Sequence, residues 1–294
     1  MEQICRIFPS GVREQLERLS PSVWEDVEEI RLRPGQPVRL YGRNGVRSVM
    51  GKLGQEELEQ ILRLASRASI HTVLPQIRQG FLTLPGGHRL GLCGSACLRE
   101  GEIHAIEPIS SLNLRVAKQR KGIAEPFVSR LCPGGSFVST LILAPPGAGK
   151  TTLLRDVIRC LSDGVGCQFH RVSLADERGE VAALHRGRPQ LYVGENTDVM
   201  EGCPKAQGLI LLLRGMNPQV LCADEITSPE DVEAMSMAIG CGAELLCTAH
   251  GSSRADLERR ELYRSLMTRG AFQRLLTIQF KGGRRHYQVE DLEW

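Results

Sequence analysis

The sequence predicts an α/β protein in two parts, a smaller α+β domain followed by a larger domain with a parallel sheet. Residues 1–117 mix amphipathic helical patterns with alternating strands, which is typical of a small α+β domain. After residue 127 strands and helices alternate along the chain, the pattern of a parallel sheet covered by helices. A Gly-rich turn joins a strand to a helix within residues 139–156 and is the centre of the larger domain.

Length and composition indicate a globular protein with two hydrophobic cores. The 294 residues are enough for two domains, and 41% hydrophobic with 24% charged residues is typical of soluble proteins. A net charge of +3 does not by itself indicate binding to nucleic acid or to an anionic membrane. The first residues lack a basic segment and an apolar core, so no signal peptide is expected. Apolar runs such as 209–213 are too short to span a bilayer.

Ten cysteines are scattered along the chain without the spacing of a disulfide framework. In a chain without an export signal we expect reduced thiols, most of them buried. Cys93 and Cys97 have the separation of a metal-binding pair, but no second pair completes a tetrahedral site. No structural metal is therefore expected.

The smaller domain is predicted from helical and alternating apolar patterns. Helices are expected at 3–20 with a break at 9–11, at 55–68 and at 72–79. Strands are expected at 27–33, at 37–41, in a hairpin over 81–97 and at 113–116. The basic and polar stretch 118–126 is interpreted as the linker to the second domain, 127–294.

In the second domain the Gly-rich turn is followed by further strands and helices. Strands are expected at 169–175, around Leu221 and at 243–249. Helices are expected at 180–185, 204–215 and 229–239, and a hairpin at 280–287. The basic stretch 254–285 is interpreted as a solvated surface, because no aromatic residues alternate with its charges as base stacking would require.

Residues 139–156, with the sequence STLILAPPGAGKTTLLRD, match the phosphate-binding P-loop. Glycines at 147 and 149 leave room for backbone N–H groups around a phosphate, and the following helix directs its positive dipole end at the same charge. Lys150 is expected to bind β- and γ-phosphate oxygens, and Thr151 to ligate Mg²⁺. The sequence therefore predicts a site for ATP and Mg²⁺. The expected contacts are Ala144, Pro145, Pro146, Gly147, Ala148, Gly149, Lys150, Thr151 and Thr152.

Two adjacent acids, Asp224 and Glu225, end an apolar strand. An acid at this point of a P-loop protein completes the Mg²⁺ shell through water, which is the role expected of Asp224. Glu225 is expected to polarise the attacking water. An extra strand between the P-loop and this strand indicates the RecA-like branch of ATPases, which carries a catalytic glutamate. The alternative is that both acids are solvated and cap the helix that begins near Pro229.

Two other strands end in residues that fit the same crevice, because the carboxyl ends of parallel strands share one edge of a sheet. His250 follows 243–249 and is expected to sense the γ-phosphate, with a structural histidine as the alternative. Glu177 follows 169–175 and is a candidate to position water or Mg²⁺, with Arg178 as its partner. A helix N-cap formed by Asp176 explains the same segment equally well.

Three arginines are candidates to act on the nucleotide of a neighbouring subunit, as ring ATPases require. Arg115 and Arg120 flank the predicted domain junction, and Arg214 precedes the strand that ends in Asp224. Taken one by one, each is also explained as an ordinary surface charge.

Taken together, the motifs resemble the stage III sporulation protein AA family of endospore-forming bacteria. The resemblance is carried by EEIRLRPGQPVRL, GGHRLGLCG and SSLNLRVAKQRKGIAE in the first domain, and by the P-loop, LADERGEV, DVMEGCPKAQGLILLLRGMNPQVLCADEI and LLCTAHG in the second. This family is similar to the ATPases of type II and type IV secretion, which form hexameric rings at a membrane apparatus. The resemblance implies that His250 matches their histidine box and that Asp176 and Glu177 lie near their aspartate box. Ala144 departs from the first glycine of the P-loop pattern.

The resemblance implies a cytoplasmic motor in the mother cell, recruited peripherally to proteins of a channel that leads to the forespore. The leading hypothesis is an oligomeric ATPase that converts hydrolysis into rigid-body motion between its domains. One alternative is a nucleotide-dependent switch or scaffold that assembles a membrane complex without turnover. Another is an ATPase stimulated by nucleic acid, which the small net charge disfavours.

Overall fold

The computed structural model describes residues 2–66, 74, 76–78, 80–281 and 284–292. The chain divides into two compact units. The first comprises residues 1–118 together with 184–190, and the second comprises residues 119–183 together with 191–294.

The first unit is an antiparallel sheet with helices. Its helices are α1 (Glu2–Cys5), α2 (Ser10–Glu17), α3 (Pro21–Asp26) and α4 (Gln55–Ala65). Its strands are β1 (Val27–Leu32), β2 (Pro37–Gly42), β3 (Gly45–Lys52), β4 (Phe81–Thr83), β5 (Arg89–Arg99) and β6 (Glu102–Arg115). The six strands lie in the order β3-β2-β1-β6-β5-β4, and each neighbouring pair is antiparallel.

Apolar side chains of this unit form one core between the sheet and its helices. The alternation in β1 buries Ile30 and Leu32 while their neighbours are more exposed, as expected of a strand with one face covered. Leu58 and Ile61 of α4 and Trp24 of α3 pack into the same cluster. The predicted α+β character of this region is therefore confirmed.

The second unit contains the remaining elements of the chain apart from two short strands. Its helices are α5 (Val128–Leu131), α6 (Lys150–Asp163), α7 (Lys205–Met216), α8 (Pro229–Gly240), α9 (Arg254–Glu258) and α10 (Glu261–Thr268). Its strands are β7 (Thr140–Ala144), β8 (Val172–Asp176), β11 (Thr197–Glu201), β12 (Val220–Glu225), β13 (Glu244–His250), β14 (Arg274–Lys281) and β15 (Arg284–Asp291). The short strands β9 (Leu184–His185) and β10 (Arg188–Pro189) pair with each other and belong to the first unit.

A seven-stranded sheet organises the second unit, in the order β11-β8-β12-β13-β7-β14-β15. All neighbours from β11 to β14 are parallel, and β15 is added antiparallel at the edge. One apolar cluster contains much of α6 and a second contains residues of α7, α8 and α10. The predicted α/β fold with a parallel sheet is confirmed. The strand that lies between the P-loop strand β7 and β12 is β13.

Several predicted elements differ in the structure. The helix expected at 180–185 is wrong, because this segment forms turns and the short strand β9. Strands β3 and β11 and helix α3 were not predicted. The helix expected at 72–79 lies largely outside the described residues.

The segment interpreted as a linker is anchored at its second half. The Asp156 carboxylate accepts hydrogen bonds from the backbone N–H groups of Gly122 (3.1 Å) and Ala124 (2.8 Å). Ala124 is completely buried in the core that contains α6. Residues 119–126 therefore belong to the second unit, and Leu184–Gln190, expected in the second domain, belongs to the first.

The expectations about membrane-spanning segments and cysteines can be compared with the structure. Among the described residues, no helix combines the length and apolar character that crossing a bilayer requires. The ten cysteines are free thiols, and Cys93, Cys97 and Cys241 are the exposed ones.

Candidate active site

The Gly-rich turn lies between the end of β7 and the first residue of α6. Gly147 and Gly149 have φ angles of 72° and 100°, in the left-handed region that favours glycine. A Cβ on Gly147 would meet no atom within 4 Å, so its backbone conformation, and not crowding, requires glycine. Ala144 is buried at the strand end, where its methyl group packs into the core that contains α6. This explains why the departure from the P-loop pattern is tolerated.

Lys150 is the first residue of α6 and is buried. Its Nζ lies 2.6 Å from Nδ1 of His250 and 3.5 Å from the carbonyl oxygen of Pro145. Burial lowers the pKa of the Lys150 ammonium, and the nearby carboxylates of Glu225 and Asp224 act in the opposite direction. An anion that entered this site would give the ammonium the close counter-charge that favours its protonated form.

Asp224 and Glu225 end β12, and an irregularity in the pairing of β12 with β13 falls at this point. Ala223 pairs with Cys247 and Glu225 pairs with Thr248, so Asp224 is the extra residue of a bulge. Its Oδ1 accepts a hydrogen bond from Thr248 Oγ1 at 2.9 Å. The bulge breaks the strict alternation of the strand, which would otherwise place the two adjacent acids on opposite faces.

His250 lies between the P-loop lysine and the acid at the end of β12. Its Nε2 is 2.8 Å from Oε2 of Glu225, and its Nδ1 is 2.6 Å from Lys150 Nζ. A neutral imidazole protonated at Nε2 satisfies both contacts, because Nδ1 then accepts from the ammonium while Nε2–H donates to the carboxylate. The register of the sheet brings this about, since His250 pairs with Ala144 at the start of the Gly-rich turn.

The two adjacent acids at the end of β8, Asp176 and Glu177, lie in different environments. Asp176 is almost fully buried, and its carboxylate accepts backbone N–H groups of Glu180 (2.9 Å), Val181 (3.1 Å) and Ala182 (2.8 Å). Burial raises the pKa of the Asp176 carboxyl, and these three amides oppose the rise. Asp176 therefore stabilises a turn, although the helix that it was expected to cap is absent.

Glu177 remains about 40% exposed and lies on the crevice side of β8. Its Oε2 is 3.9 Å from Nζ of Lys205, so the cation beside it is Lys205, whereas Arg178 was expected. Arg178 is exposed. The turn behind Glu177 is held by Arg155, whose guanidinium donates to the carbonyl oxygens of Val181 (2.5 Å) and Glu180 (2.7 Å).

Two residues near the site were missed by the sequence analysis. Arg285 of β15 donates from Nε to the carbonyl oxygen of Ala148 at 2.8 Å, and its guanidinium lies over the ring of Phe280. Lys205, at the start of α7, is buried against the end of β12. Both depend on contacts between distant parts of the chain. Arg285 stands in no recognisable motif, and Lys205 lies in a segment that carries the family resemblance but received no role there.

The three candidate arginines are surface residues of this single chain. Arg115, the last residue of β6, and Arg120 and Arg214 are all exposed. An exposed arginine can be an ordinary surface charge or can contact another subunit, so exposure does not distinguish these two roles. Their action across subunits stays a prediction.

The donor set fits a Mg²⁺–nucleotide. Left-handed glycines shape the turn, and a buried ammonium at the helix N-terminus matches phosphate oxygens. The Thr151 hydroxyl, which is partly exposed, and the Asp224 carboxylate are hard oxygen ligands of the kind that Mg²⁺ prefers. Thr151 and Asp224 would hold the ion, the latter through water.

Comparison with known proteins identifies the family. The family model for "Sporulation stage III, protein AA" matches residues 1–288. The chain belongs to this family. Stage III sporulation protein AA of Bacillus subtilis (strain 168) is 36% identical over 280 residues, which cover 95% of this chain and 91% of that protein. The family suggested by the motifs is thus confirmed.

Solved structures of secretion and pilus ATPases share the fold of this family member. The ATPase DotB of Legionella pneumophila superimposes with a TM-score of 0.59 at 17% identity, over 97% of this chain and 80% of that one. The pilus retraction motor PilT, solved with bound ADP, gives a TM-score of 0.63 at 16% identity, over 96% and 82% of the two chains. At such identities the likeness shows a common fold.

Proposed function

We propose that the chain is an ATP-hydrolysing motor of the secretion-ATPase type. The observation that carries the proposal is the connected set Lys150–His250–Glu225, in which one imidazole contacts both the P-loop ammonium and the carboxylate at the end of β12. Binding phosphate requires the Gly-rich turn and the lysine, whereas cleaving it also requires a base at a fixed position. The arrangement supplies both.

Binding is the task of the Gly-rich turn and Lys150. The backbone N–H groups of 147–151 and the N-terminal dipole of α6 would hold the β-phosphate of ATP. Lys150 would exchange its contact with His250 for phosphate oxygens, which relieves the effect of burial on its ammonium. Mg²⁺ held by Thr151 and Asp224 would neutralise charge on the phosphates.

Hydrolysis is the task of Glu225, with His250 as its partner. The Glu225 carboxylate would orient and deprotonate the attacking water, while the Nε2–H of His250 fixes one of its oxygens. When Lys150 turns to the phosphates, Nδ1 of His250 loses its donor. His250 can then respond to the γ-phosphate while still holding Glu225, as expected of a sensor. Glu177, on the neighbouring strand, is the candidate to order water or Mg²⁺ from the second side.

Membership of the family supports a proposal for the setting of this activity. A sporulation family whose fold is that of DotB and PilT is consistent with a motor that drives or assembles a channel between mother cell and forespore. We propose that it acts as a ring, with six subunits as the leading arrangement, recruited to membrane proteins of that channel from the cytoplasm. Exposed Arg115, Arg120 and Arg214 are the candidates to reach a neighbour's nucleotide.

Nucleotide trapping tests the proposal. Each variant is incubated with ATP and Mg²⁺, separated from free nucleotide, and the bound nucleotide is analysed. Wild type is expected to hold mainly ADP and to release phosphate, Glu225→Gln to hold unhydrolysed ATP, and Lys150→Ala to bind about 100-fold more weakly. Bound ATP that stays intact in wild type would favour a nucleotide-dependent scaffold. Hydrolysis by Glu225→Gln at the wild-type rate would reject the catalytic assignment.

A further inference from the structure

A lysine that so far has no role in the proposed reaction contacts the main chain of the proposed catalytic acid. Lys205 is the first residue of α7 and is only 6% exposed. A buried ammonium is costly unless it is paired and hydrogen-bonded, so its surroundings indicate what it does.

The Lys205 ammonium has three oxygen partners on three different elements. It donates a hydrogen bond to the backbone carbonyl oxygen of Glu225, at the end of β12. Its Nζ lies 3.8 Å from Oδ2 of Asp231 on α8 and 3.9 Å from Oε2 of Glu177 after β8. The direct contact is to the main chain of Glu225, and the two carboxylates supply the opposite charge.

Asp231 makes this cluster rigid. It is 3% exposed, and its Oδ2 accepts the backbone N–H groups of Thr227 (3.0 Å) and Ser228 (3.2 Å). The loop that follows Glu225 is therefore tied to the start of α8 at one end. Lys205 ties the carbonyl of Glu225 to the same carboxylate, so Lys205 and Asp231 together fix residues 225–228.

We propose that Lys205 is a positioning residue for hydrolysis, which fixes the main chain of Glu225 so that its carboxylate stays in contact with His250. The inference rests on the proposed ATPase function. Lys205 does not reach the nucleotide in this role, and acts through Glu225. Its ammonium also lies near the carboxylates of Glu177 and Asp231. One cation therefore contacts residues at the ends of β8 and β12 and at the start of α8.

A merely structural lysine would behave differently in kinetics. Its loss would lower the free energy of unfolding and weaken nucleotide binding, while molecules that still bind nucleotide would turn over normally. A positioning lysine lowers kcat at saturating ATP and leaves nucleotide affinity nearly unchanged. Replacing a positioning lysine also has no effect on the hydrolysis rate once the group that it positions has been removed.

The test is a double-variant cycle with Lys205→Met and Glu225→Gln in the full chain. Lys205→Met is expected to lower single-turnover hydrolysis about 10- to 100-fold, the range for outer-shell partners of a catalytic site. Its affinity for a fluorescent ADP analogue should change by less than about 3-fold. In the Glu225→Gln background, Lys205→Met should cause no further loss. Arg159→Met is the matched control, because Arg159 is a buried cation of α6 paired with Asp156 at 2.7 Å.

Three results would overturn the inference. The first is that Lys205→Met loses nucleotide affinity and hydrolysis rate by the same factor. The second is that Lys205→Met slows hydrolysis further when it is added to Glu225→Gln. The third is that nucleotide-bound Arg159→Met loses as much hydrolysis rate as Lys205→Met. If Lys205→Met does not fold, Lys205→Gln, which removes the charge but keeps a donor, replaces it in the same cycle.

Hydrogen exchange separates a failure of this inference from a failure of the ATPase proposal. The amides of residues 225–228 are expected to exchange faster in the Lys205 variant than in wild type, and at the wild-type rate in Arg159→Met. If wild type shows no turnover, the ATPase proposal fails, and the exchange rates still decide whether Lys205 fixes this segment. Unchanged exchange in the Lys205 variant would reject the inference.

Discussion

At the scale of single residues, the site depends on the two nitrogens of one imidazole. His250 lies 2.6 Å from an ammonium and 2.8 Å from a carboxylate, and about a third of its side chain is exposed. A neutral ring protonated at Nε2 meets both groups at once, whereas a doubly protonated ring would place an N–H group against the Lys150 ammonium. His250 is therefore suited to respond when Lys150 changes partner.

We expect His250→Ala to bind nucleotide and hydrolyse it slowly. Loss of the Nε2–H donor leaves Glu225 without its fixed orientation, which should lower kcat about 10-fold or more. Nucleotide affinity should be unchanged or slightly higher, because Lys150 no longer has to leave a competing partner. Parallel measurements of kcat and of equilibrium ATP binding check this. His286→Ala, at an exposed position of β15, is the control, and equal effects of the two substitutions would contradict the role given to His250.

Residues that stand in a motif or at the end of a predicted parallel strand could be predicted, whereas residues without such a signal could not. Gly147, Gly149 and Lys150 stand within one turn, so their chemistry can be read from their spacing. Arg285 reaches Ala148 across 137 residues, and no pattern in the sequence connects them. Which residues meet at such distances is decided by the order of strands in the sheet.

At the scale of elements, the β14–β15 hairpin contributes to the P-loop. β14 pairs with β7 in parallel, and β15 carries Arg285 to the Gly-rich turn, where its Nε donates to the Ala148 carbonyl. This bond links the turn to an element outside the recognised motifs. The exposed ring of Phe280 lies beneath the same guanidinium and supports it.

We expect Arg285→Ala to weaken nucleotide binding by about 5-fold, because one hydrogen bond that restrains the turn is worth about 1 kcal/mol. Arg284→Ala is the control, since Arg284 is the preceding exposed residue of the same strand and removes the same charge from the hairpin. Titration with a fluorescent ATP analogue measures both. Equal affinities of the two variants would show that the bond to Ala148 does not shape the site.

The helix predicted at 180–185 does not form, because contacts with side chains outside this segment determine its structure. Glu180 and Ala182 are good helix formers, but the N–H groups of residues 180–182 donate to the buried Asp176 carboxylate. Arg155 binds the carbonyl oxygens of the same segment. Hydrogen bonds to side chains outside this segment thus take the place of helical ones, and the long-range contact with Arg155 leaves no pattern in the local sequence.

At the scale of the whole molecule, the two units have separate cores, and each contains a buried histidine. His88 of the first unit is 8% exposed, and its Nδ1 accepts the backbone N–H of Ala117 at 3.0 Å. Burial lowers the pKa of His88 from 6.5 to about 4. Below pH 6.5 the unfolded chain binds a proton that the folded unit does not take up, so stability falls as pH falls.

The first unit should therefore lose about 3 kcal/mol of unfolding free energy between pH 6.5 and about 4 through His88 alone. Above pH 6.5 this contribution is constant. Denaturant unfolding followed by Trp24 fluorescence, in a chain with Trp294→Phe, reports on this unit. His88→Gln keeps a hydrogen-bond acceptor without titrating, and the same pH dependence in this variant would exclude His88 as its source.

Steady-state ATP turnover over a wide range of protein concentration shows whether the protein is an ATPase whose sites are completed by assembly. Specific activity is expected to rise with concentration and to be absent from Glu225→Gln, because arginines from a neighbouring subunit would complete each site. Specific activity that is independent of concentration would contradict the shared site. Tight ATP binding without turnover at any concentration would contradict the motor itself.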